Sequence, residues 1–228
     1  IKGLNQSYGG SHTLWDIDLD VQPGMRMCLM GRNGMGKTTL LKCVMGLIPV
    51  ASGQVSFTGT DLRVVPAEAR ARLGIGYVPQ GREIFPQLTV KENLEVGLAA
   101  RGDGRRTIPT QIFDLFPVLK QMLGRRGGDL SGGQQQQLAI GRALVLEPKL
   151  LILDEPTEGI QPNIVHEIGD ILIKLNHEAK VTLVLVEQKL LFARRVASDF
   201  YILDKGRHVA GGTIDELSDD NVVKHLSV

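Results

Sequence analysis

The sequence has little cysteine, little net charge and no long apolar run, and each absence argues against a class of protein. It has 26 lysines and arginines against 25 aspartates and glutamates, so its formal charge of +1 gives no reason to expect nucleic acid or an anionic surface as partner. Its two cysteines, Cys28 and Cys43, lie in apolar segments and are read as core residues rather than as a disulfide or metal pair. No apolar run approaches the length of a membrane span and no signal peptide is visible, so we expect a cytosolic protein.

The apolar pattern predicts an α/β fold. Leu150–Leu153 and Val181–Val186 are apolar without alternation, which is typical of strands covered on both faces of a sheet. Helical patterns separate these strands, which indicates parallel crossovers. Near the N-terminus, apolar residues from Leu14 to Val21 recur almost every second position, and residues 54–57 predict a further strand. We expect both to belong to an antiparallel β-layer.

The middle of the chain predicts helices. Thr89 and Glu92 have the spacing of a capping box at the start of a helix, and Pro117 argues against one unbroken helix further on. We therefore predict a single domain over residues 1–228. Residues 1–86 and 146–228 would form its core with the antiparallel layer, and residues 87–145 a helical sub-domain.

A glycine-rich loop over residues 31–39 follows an apolar strand and precedes an apolar helix. Its sequence, Gly-Arg-Asn-Gly-Met-Gly-Lys-Thr-Thr, fits the phosphate-binding P-loop pattern in the strand–loop–helix context that the pattern requires. Glycines let the backbone N–H groups surround an anion, Lys37 would reach the β- and γ-phosphates, and the Thr38 hydroxyl would bind Mg²⁺. The predicted nucleotide contacts in this loop are Gly31, Asn33, Gly34, Gly36, Lys37, Thr38 and Thr39.

Two acidic residues end the buried strand that begins at Leu150. A carboxylate at such a strand end can hold Mg²⁺, and the next one can accept a proton from an attacking water. We assign Asp154 to Mg²⁺ and Glu155 to the general base of triphosphate hydrolysis. Solvated acids at an ordinary strand end would be the alternative if the P-loop were absent.

A second phosphate-binding pattern, Leu-Ser-Gly-Gly-Gln, spans residues 130–134, where Ser131 is a good helix N-cap. With the P-loop, a glutamine at position 80 and the acidic strand end, all in family order, the chain resembles the ATP-binding-cassette (ABC) family over nearly its whole length. The resemblance implies the ABC ATPase fold with ATP and Mg²⁺ as cofactors. It also implies that Ser131, Gly132, Gly133 and Gln134 act on ATP held by the P-loop of a partner ATPase.

The same resemblance assigns further residues. Gln80 looks like the glutamine that senses Mg²⁺ and the attacking water. Tyr8 stands where the family has an aromatic ring that stacks on adenine, with a tyrosine that only packs the core as the alternative. Ile84 and Phe85 look like a docking patch for a membrane subunit, and core packing is an equally good interpretation.

Two positions depart from the family pattern. Gln188 stands where the family usually has a histidine that clamps the γ-phosphate, and glutamine can donate a hydrogen bond but cannot carry positive charge. Gln161 stands where the family usually has an aspartate that crosses the dimer interface. Both changes favour a heterodimer with a related ATPase over a symmetric homodimer.

Short phrases at residues 80–86, 88–94 and 155–162 resemble the ATPases of branched-chain amino-acid importers, and the urea-import branch most of all, as do Gln188 and the tail over residues 225–228. Such systems imply two membrane permeases, a second ATPase, a substrate-binding protein and a place on the cytoplasmic face of the membrane, with no nucleic acid. Other open interpretations are the ATPase of another amino-acid importer or of a lipid exporter, and a soluble ABC ATPase. The histidines at 12, 166, 177, 208 and 225 lack metal-ligand spacing, so we expect them on the surface.

Overall fold

The computed structural model describes residues 1–226; Ser227 and Val228, part of the tail named above, lie outside the described residues. The strands run over β1 Lys2–Tyr8, β2 Ser11–Ile17, β3 Arg26–Met30, β4 Ser52–Gln54, β5 Ser56–Phe57, β6 Thr60–Asp61, β7 Ile75–Val78, β8 Leu150–Asp154, β9 Thr182–Val186, β10 Asp199–Asp204 and β11 Arg207–Thr213. The α-helices run over α1 Lys37–Met45, α2 Ala67–Arg70, α3 Val90–Arg101, α4 Thr110–Leu115, α5 Pro117–Gln121, α6 Gly132–Leu144, α7 Pro162–Ala179, α8 Leu190–Val196 and α9 Asp219–His225.

The chain divides into two compact units. The first comprises residues 1–70 with the described residues from 182 onward, and the second comprises residues 71–181. The predicted boundaries of the helical sub-domain, at 87 and 145, stay a prediction.

A buried parallel sheet forms the centre of the first unit. β3 pairs in parallel with β10 on one side and β9 on the other, with Cys28 opposite both Phe200 and Leu185. All five residues of β9 are buried, as the run without alternation predicts. Both cysteines are free and buried, and burial raises the pKa of the Cys28 thiol and brings that of Cys43 to about 11.

The predicted antiparallel layer is present and is made of β2, β1 and β4. β1 pairs with β2 through Leu4 opposite Ile17, and with β4 on its other edge. The prediction of one strand over residues 54–57 is wrong, because Val55 is buried between two short strands that pair with different partners.

The second unit combines the parallel pair β7 and β8 with five helices among the described residues. Thr89 caps α3 in the predicted capping box, and the N–H of Thr89 donates to Glu92, which lowers the pKa of that carboxyl. The chain breaks between α4 and α5 at Phe116, as Pro117 predicts. α3 packs closely on α6. The two helices are so near each other at Gly97 that a Cβ there would overlap the Arg142 carbonyl.

In the part of the chain that the structure describes, no helix is both long enough and apolar enough to cross a membrane.

Candidate nucleotide site

The glycine loop of the first unit is shaped by two positions that exclude a side chain. Gly31 follows β3 with φ +141°, and a Cβ there would overlap the Leu203 carbonyl oxygen at the end of β10. Gly36 precedes α1 with φ +102°, and a Cβ there would lie 2.7 Å from Leu14 Cδ2. Glycine adopts this backbone region without steric cost. The chain can therefore turn from strand to helix in the narrow space between β2 and β10.

Lys37 lies on the first turn of α1 and is 5% exposed. Its Nζ donates hydrogen bonds of 2.7 Å to the Gly31 carbonyl and 2.9 Å to the Arg32 carbonyl, so the ammonium is held over its own loop. No acidic residue lies in the first turn of α1, so the positive end of the helix dipole is not offset there. Thr38 and Thr39 lie half-buried on the same turn. This combination attracts a phosphate group.

Gln188 contacts the loop directly. Its Nε2 donates a 2.8 Å hydrogen bond to Asn33 Oδ1, so a neutral amide pair joins the segment after β9 to the tip of the glycine loop. Tyr8 ends β1 and is 48% exposed, which is at odds with a tyrosine that only fills the core. The adenine contact of Tyr8 stays a prediction.

The acidic strand end belongs to the second unit. Asp154 ends β8 with 1% of its surface exposed, and Glu155 follows in the left-handed region with φ +50°. Gln80 Nε2 lies 3.2 Å from Glu155 Oε2 and 3.1 Å from Glu158 Oε2. Gln80 and the predicted general base are therefore hydrogen-bonded to each other. Burial, and then the Asp154 carboxylate, raise the pKa of Tyr77 on the adjacent strand.

The second phosphate-binding pattern opens α6. Ser131 is its N-cap, and Ser131 with Gln134 forms a capping box in which the Ser131 N–H donates 2.9 Å to Gln134 Oε1. The Gln134 side chain thus shapes the helix start. Gly132 and Gly133 form the first turn, and a Cβ at Gly133 would lie 3.1 Å from two carbons of Ile164 on α7.

The predicted docking patch is partly accessible. Ile84 is half-buried, while Phe85 is 43% exposed and its ring lies 5.1 Å from the Arg142 guanidinium carbon. Gln161 is exposed at the N-cap of α7 without a capping hydrogen bond from its side chain. Phe85 and Gln161 are therefore both accessible on the surface of the second unit.

One histidine prediction is wrong. His225 is only 9% exposed, and its Nδ1 lies 3.4 Å from Asp204 Oδ2 because α9 turns it towards the end of β10. Within residues 1–226 no group of three histidines, cysteines or acids could hold a metal ion. Mg²⁺ carried by a nucleotide uses few protein ligands, so this finding leaves the predicted ligands Thr38, Gln80 and Asp154 untested.

Sequence reasoning missed two residues, Arg82 and Glu158. The Arg82 guanidinium contacts both the start of α6 and the loop after β8, and Glu158 shares the Gln80 amide with Glu155. No periodic pattern joins positions that are 53 and 76 residues apart, so only the folded chain reveals them.

Comparisons with known proteins agree with this geometry. Residues 14–158 match the family model described as ABC transporter. A probable branched-chain amino acid transport ATP-binding protein, LivF of Archaeoglobus fulgidus, is 39% identical over 94% of this chain and 91% of its own length. The high-affinity branched-chain amino acid transport ATP-binding protein BraG of Pseudomonas aeruginosa is 41% identical over 90% of this chain and 88% of its own. Among solved structures, the dimeric ATP-binding cassette MJ0796 with ADP and phosphate has a TM-score of 0.85 at 26% identity, covering 93% of this chain and 97% of that one.

Replacing Lys37 by Ala should abolish nucleotide binding, because the only lysine of the glycine loop would no longer reach the phosphates. Titration with a fluorescent ATP analogue should show at least a hundredfold loss of affinity. Lys120→Ala removes an exposed lysine from α5 and should bind as the wild type does. Equal affinity of Lys37→Ala and Lys120→Ala would contradict the P-loop assignment.

Proposed function

This chain belongs to the ABC transporter family of ATP-binding proteins, and we propose that it hydrolyses ATP to drive the import of amino acids of the branched-chain type. The observation that carries the proposal is the strand–glycine-loop–helix unit with its buried Lys37. Family members are ATPases, and the fold is that of the ABC ATPase cassettes.

The glycine loop binds the triphosphate. Lys37 leaves its contacts with the loop carbonyls and donates to the phosphates, while the backbone N–H groups between Gly31 and Lys37 surround them. Tyr8 stacks on the adenine ring. The Thr38 hydroxyl, the Gln80 amide oxygen and the Asp154 carboxylate are hard oxygen donors, which suits Mg²⁺. When bound, the ion neutralises charge on the phosphates.

Glu155 is the general base. It accepts a proton from a water molecule whose oxygen attacks the γ-phosphorus, and the bond from that phosphorus to the β,γ-bridging oxygen breaks to leave ADP and phosphate. The Gln80 amide, which donates to Glu155, orients this carboxylate and the water. Gln188 donates a hydrogen bond to the γ-phosphate in place of the family's histidine.

Each ATP is bound between two ATPase subunits. The P-loop of one subunit holds the phosphates, and residues 131–134 of the other complete the site, so ATP closes the dimer and hydrolysis reopens it. Because Gln188 cannot carry the charge that a histidine can, and Gln161 replaces an acid, the partner is a related ATPase rather than a second copy. The pair works on the cytoplasmic face of the membrane with two permeases. Ile84 and Phe85 form the patch that docks onto a permease.

The cargo rests on likeness alone, since an ATPase subunit does not touch it. The relatives LivF and BraG are branched-chain amino acid transport proteins by name, which favours that class. Urea or a short amide is the second candidate, favoured by Gln188 and by the phrases at residues 80–86 and 155–162.

Replacing Glu155 by Gln should stop hydrolysis and keep ATP bound, because the amide cannot accept the proton. We expect kcat to fall at least a hundredfold and a nucleotide-locked dimer to appear by size-exclusion chromatography with MgATP. Glu178→Gln, on an exposed part of α7, is the matched control and should turn over normally. Unchanged hydrolysis by Glu155→Gln would show that another group is the base.

The purified chain should hydrolyse ATP slowly by itself and faster with its partner ATPase, because two of its positions lack the family's residues for a symmetric dimer. Steady-state phosphate release at increasing chain concentration measures this. Brisk, cooperative turnover of the chain alone would contradict the heterodimer.

Cells that express the chain with its permeases and binding protein should accumulate radiolabelled leucine. Excess isoleucine or valine should compete, and excess urea should not. Uptake of labelled urea but not of leucine would replace the proposed cargo by the second candidate.

A further inference from the structure

Arg82 lies between two loops of the second unit that the proposed function uses separately. Its Nη1 donates 3.3 Å to Gln135 Oε1 on the first turns of α6, and its Nη2 donates 3.3 Å to the Glu158 carbonyl in the loop after β8. We propose that Arg82 is a positioning residue. It fixes the start of α6, where Ser131 is the N-cap, relative to the loop after β8 that carries Glu155. The inference rests on the proposed ATPase function and deepens it.

Glycines on both sides leave room for the guanidinium. A Cβ at Gly132 would lie 3.3 Å from both terminal nitrogens of Arg82, and a Cβ at Gly159 would lie 3.7 Å from Nη2. Gly132 belongs to the predicted phosphate-binding pattern and Gly159 to the loop after Glu155. The guanidinium therefore fills the gap between the two segments instead of extending into solvent.

The backbone at Arg82 also hydrogen-bonds to α6, through a second residue of that helix. Arg82 and Glu83 have φ of +73° and +45°, which side-chain-bearing residues adopt only where their surroundings hold them. Arg142, further along α6, donates to the carbonyl oxygens of Arg82 at 3.3 Å and Glu83 at 2.7 Å. Segment 82–83 is thus bound to α6 through its side chain at one end and its carbonyls at the other.

Hydrogen bonds extend from Arg82 towards both functional groups. Gln135, its acceptor, donates 3.2 Å from its side chain to the Gly127 carbonyl, five residues before α6, and its backbone N–H donates 2.9 Å to the Ser131 carbonyl. Glu158, whose carbonyl accepts from Arg82, shares the Gln80 amide with Glu155 through its carboxylate. A displacement of the segment from Gln80 to Phe85 would therefore move the serine-capped helix and the general base together.

Arginine suits this position better than lysine. A planar guanidinium presents separate N–H donors in a fixed fork, so it can serve two acceptors on different segments at once, whereas an ammonium is a compact point donor on a flexible stem. A lysine at position 82 would keep the charge and lose the geometry.

The test measures hydrolysis by the ATPase purified with its co-expressed partner subunits. Arg82→Ala should lower kcat about tenfold, because small misplacement of catalytic groups has large effects on rate. The dissociation constant of the isolated chain for ATP should stay within twofold of the wild type, because residues 131–134 act only on ATP held by the partner's P-loop. Arg82→Lys should recover only part of the loss. Arg106→Ala removes the same charge from an exposed loop and should be unchanged.

A double-mutant cycle makes the test specific. Gln135→Ala should lower kcat in the same direction, and the double variant should be no more than twofold below Arg82→Ala, because residues of one network are not additive. The proposal would be overturned if the losses of kcat in Arg82→Ala and Gln135→Ala multiply in the double variant. It would also be overturned by a kcat of Arg82→Ala equal to that of Arg106→Ala, or by full activity of Arg82→Lys. If Arg82→Ala does not fold, wild-type kcat in either Arg82→Lys or Gln135→Ala would overturn it.

Different results would exclude the positioning role of Arg82 and the proposed ATPase function. An active wild-type complex with an unaffected Arg82→Ala removes only the positioning role. A wild-type complex that hydrolyses no ATP removes the proposed function, and the positioning role with it.

Discussion

The close approach of the glycine loop to the end of β10 is the constraint on which the nucleotide site depends. Gly31 lies so near the Leu203 carbonyl that no side chain fits, and its φ of +141° is open to glycine alone without strain. A few residues on, Gly36 turns the chain into α1 against Leu14. β10 of the parallel sheet and β2 of the antiparallel layer thus hold the loop on two sides, and Lys37 donates to two of its carbonyls. A loop whose backbone is fixed in this way needs little further ordering to bind an anion, which lowers the cost of binding.

The second unit meets a different requirement, since it must keep the start of α6 and the loop after β8 in a fixed relative position. Side chains from the segment after β7 do this: the Gln80 amide lies on the two carboxylates at 155 and 158, and the Arg82 guanidinium reaches across to Gln135. The contacts are polar and partly exposed, so each is individually weak. Polar links of this kind can exchange partners during a cycle of binding and hydrolysis, whereas a packed core cannot.

Features encoded by neighbouring residues were predictable from the sequence. The capping box at Thr89, the N-cap at Ser131, the break before Pro117 and the buried β9 depend on spacings of a few residues, and the structure confirms them. Features set by distant contacts were not. Val55 separates β4 from β5, which pair with different strands, and His225 is buried because α9 folds back on β10. The position of Arg82 depends on residues 53 and 76 positions away, which no local pattern encodes.

In the proposed mechanism, ATP is bound between the glycine loop of one subunit and the serine-capped helix of another. A structure of the Glu155→Gln complex with its partner subunits and MgATP would show whether ATP is bound in this way. Ser131 and Gly133 should lie within hydrogen-bonding distance of a γ-phosphate held by the partner's P-loop. A bound triphosphate contacted by residues 31–39 alone, with residues 131–133 facing solvent, would contradict it.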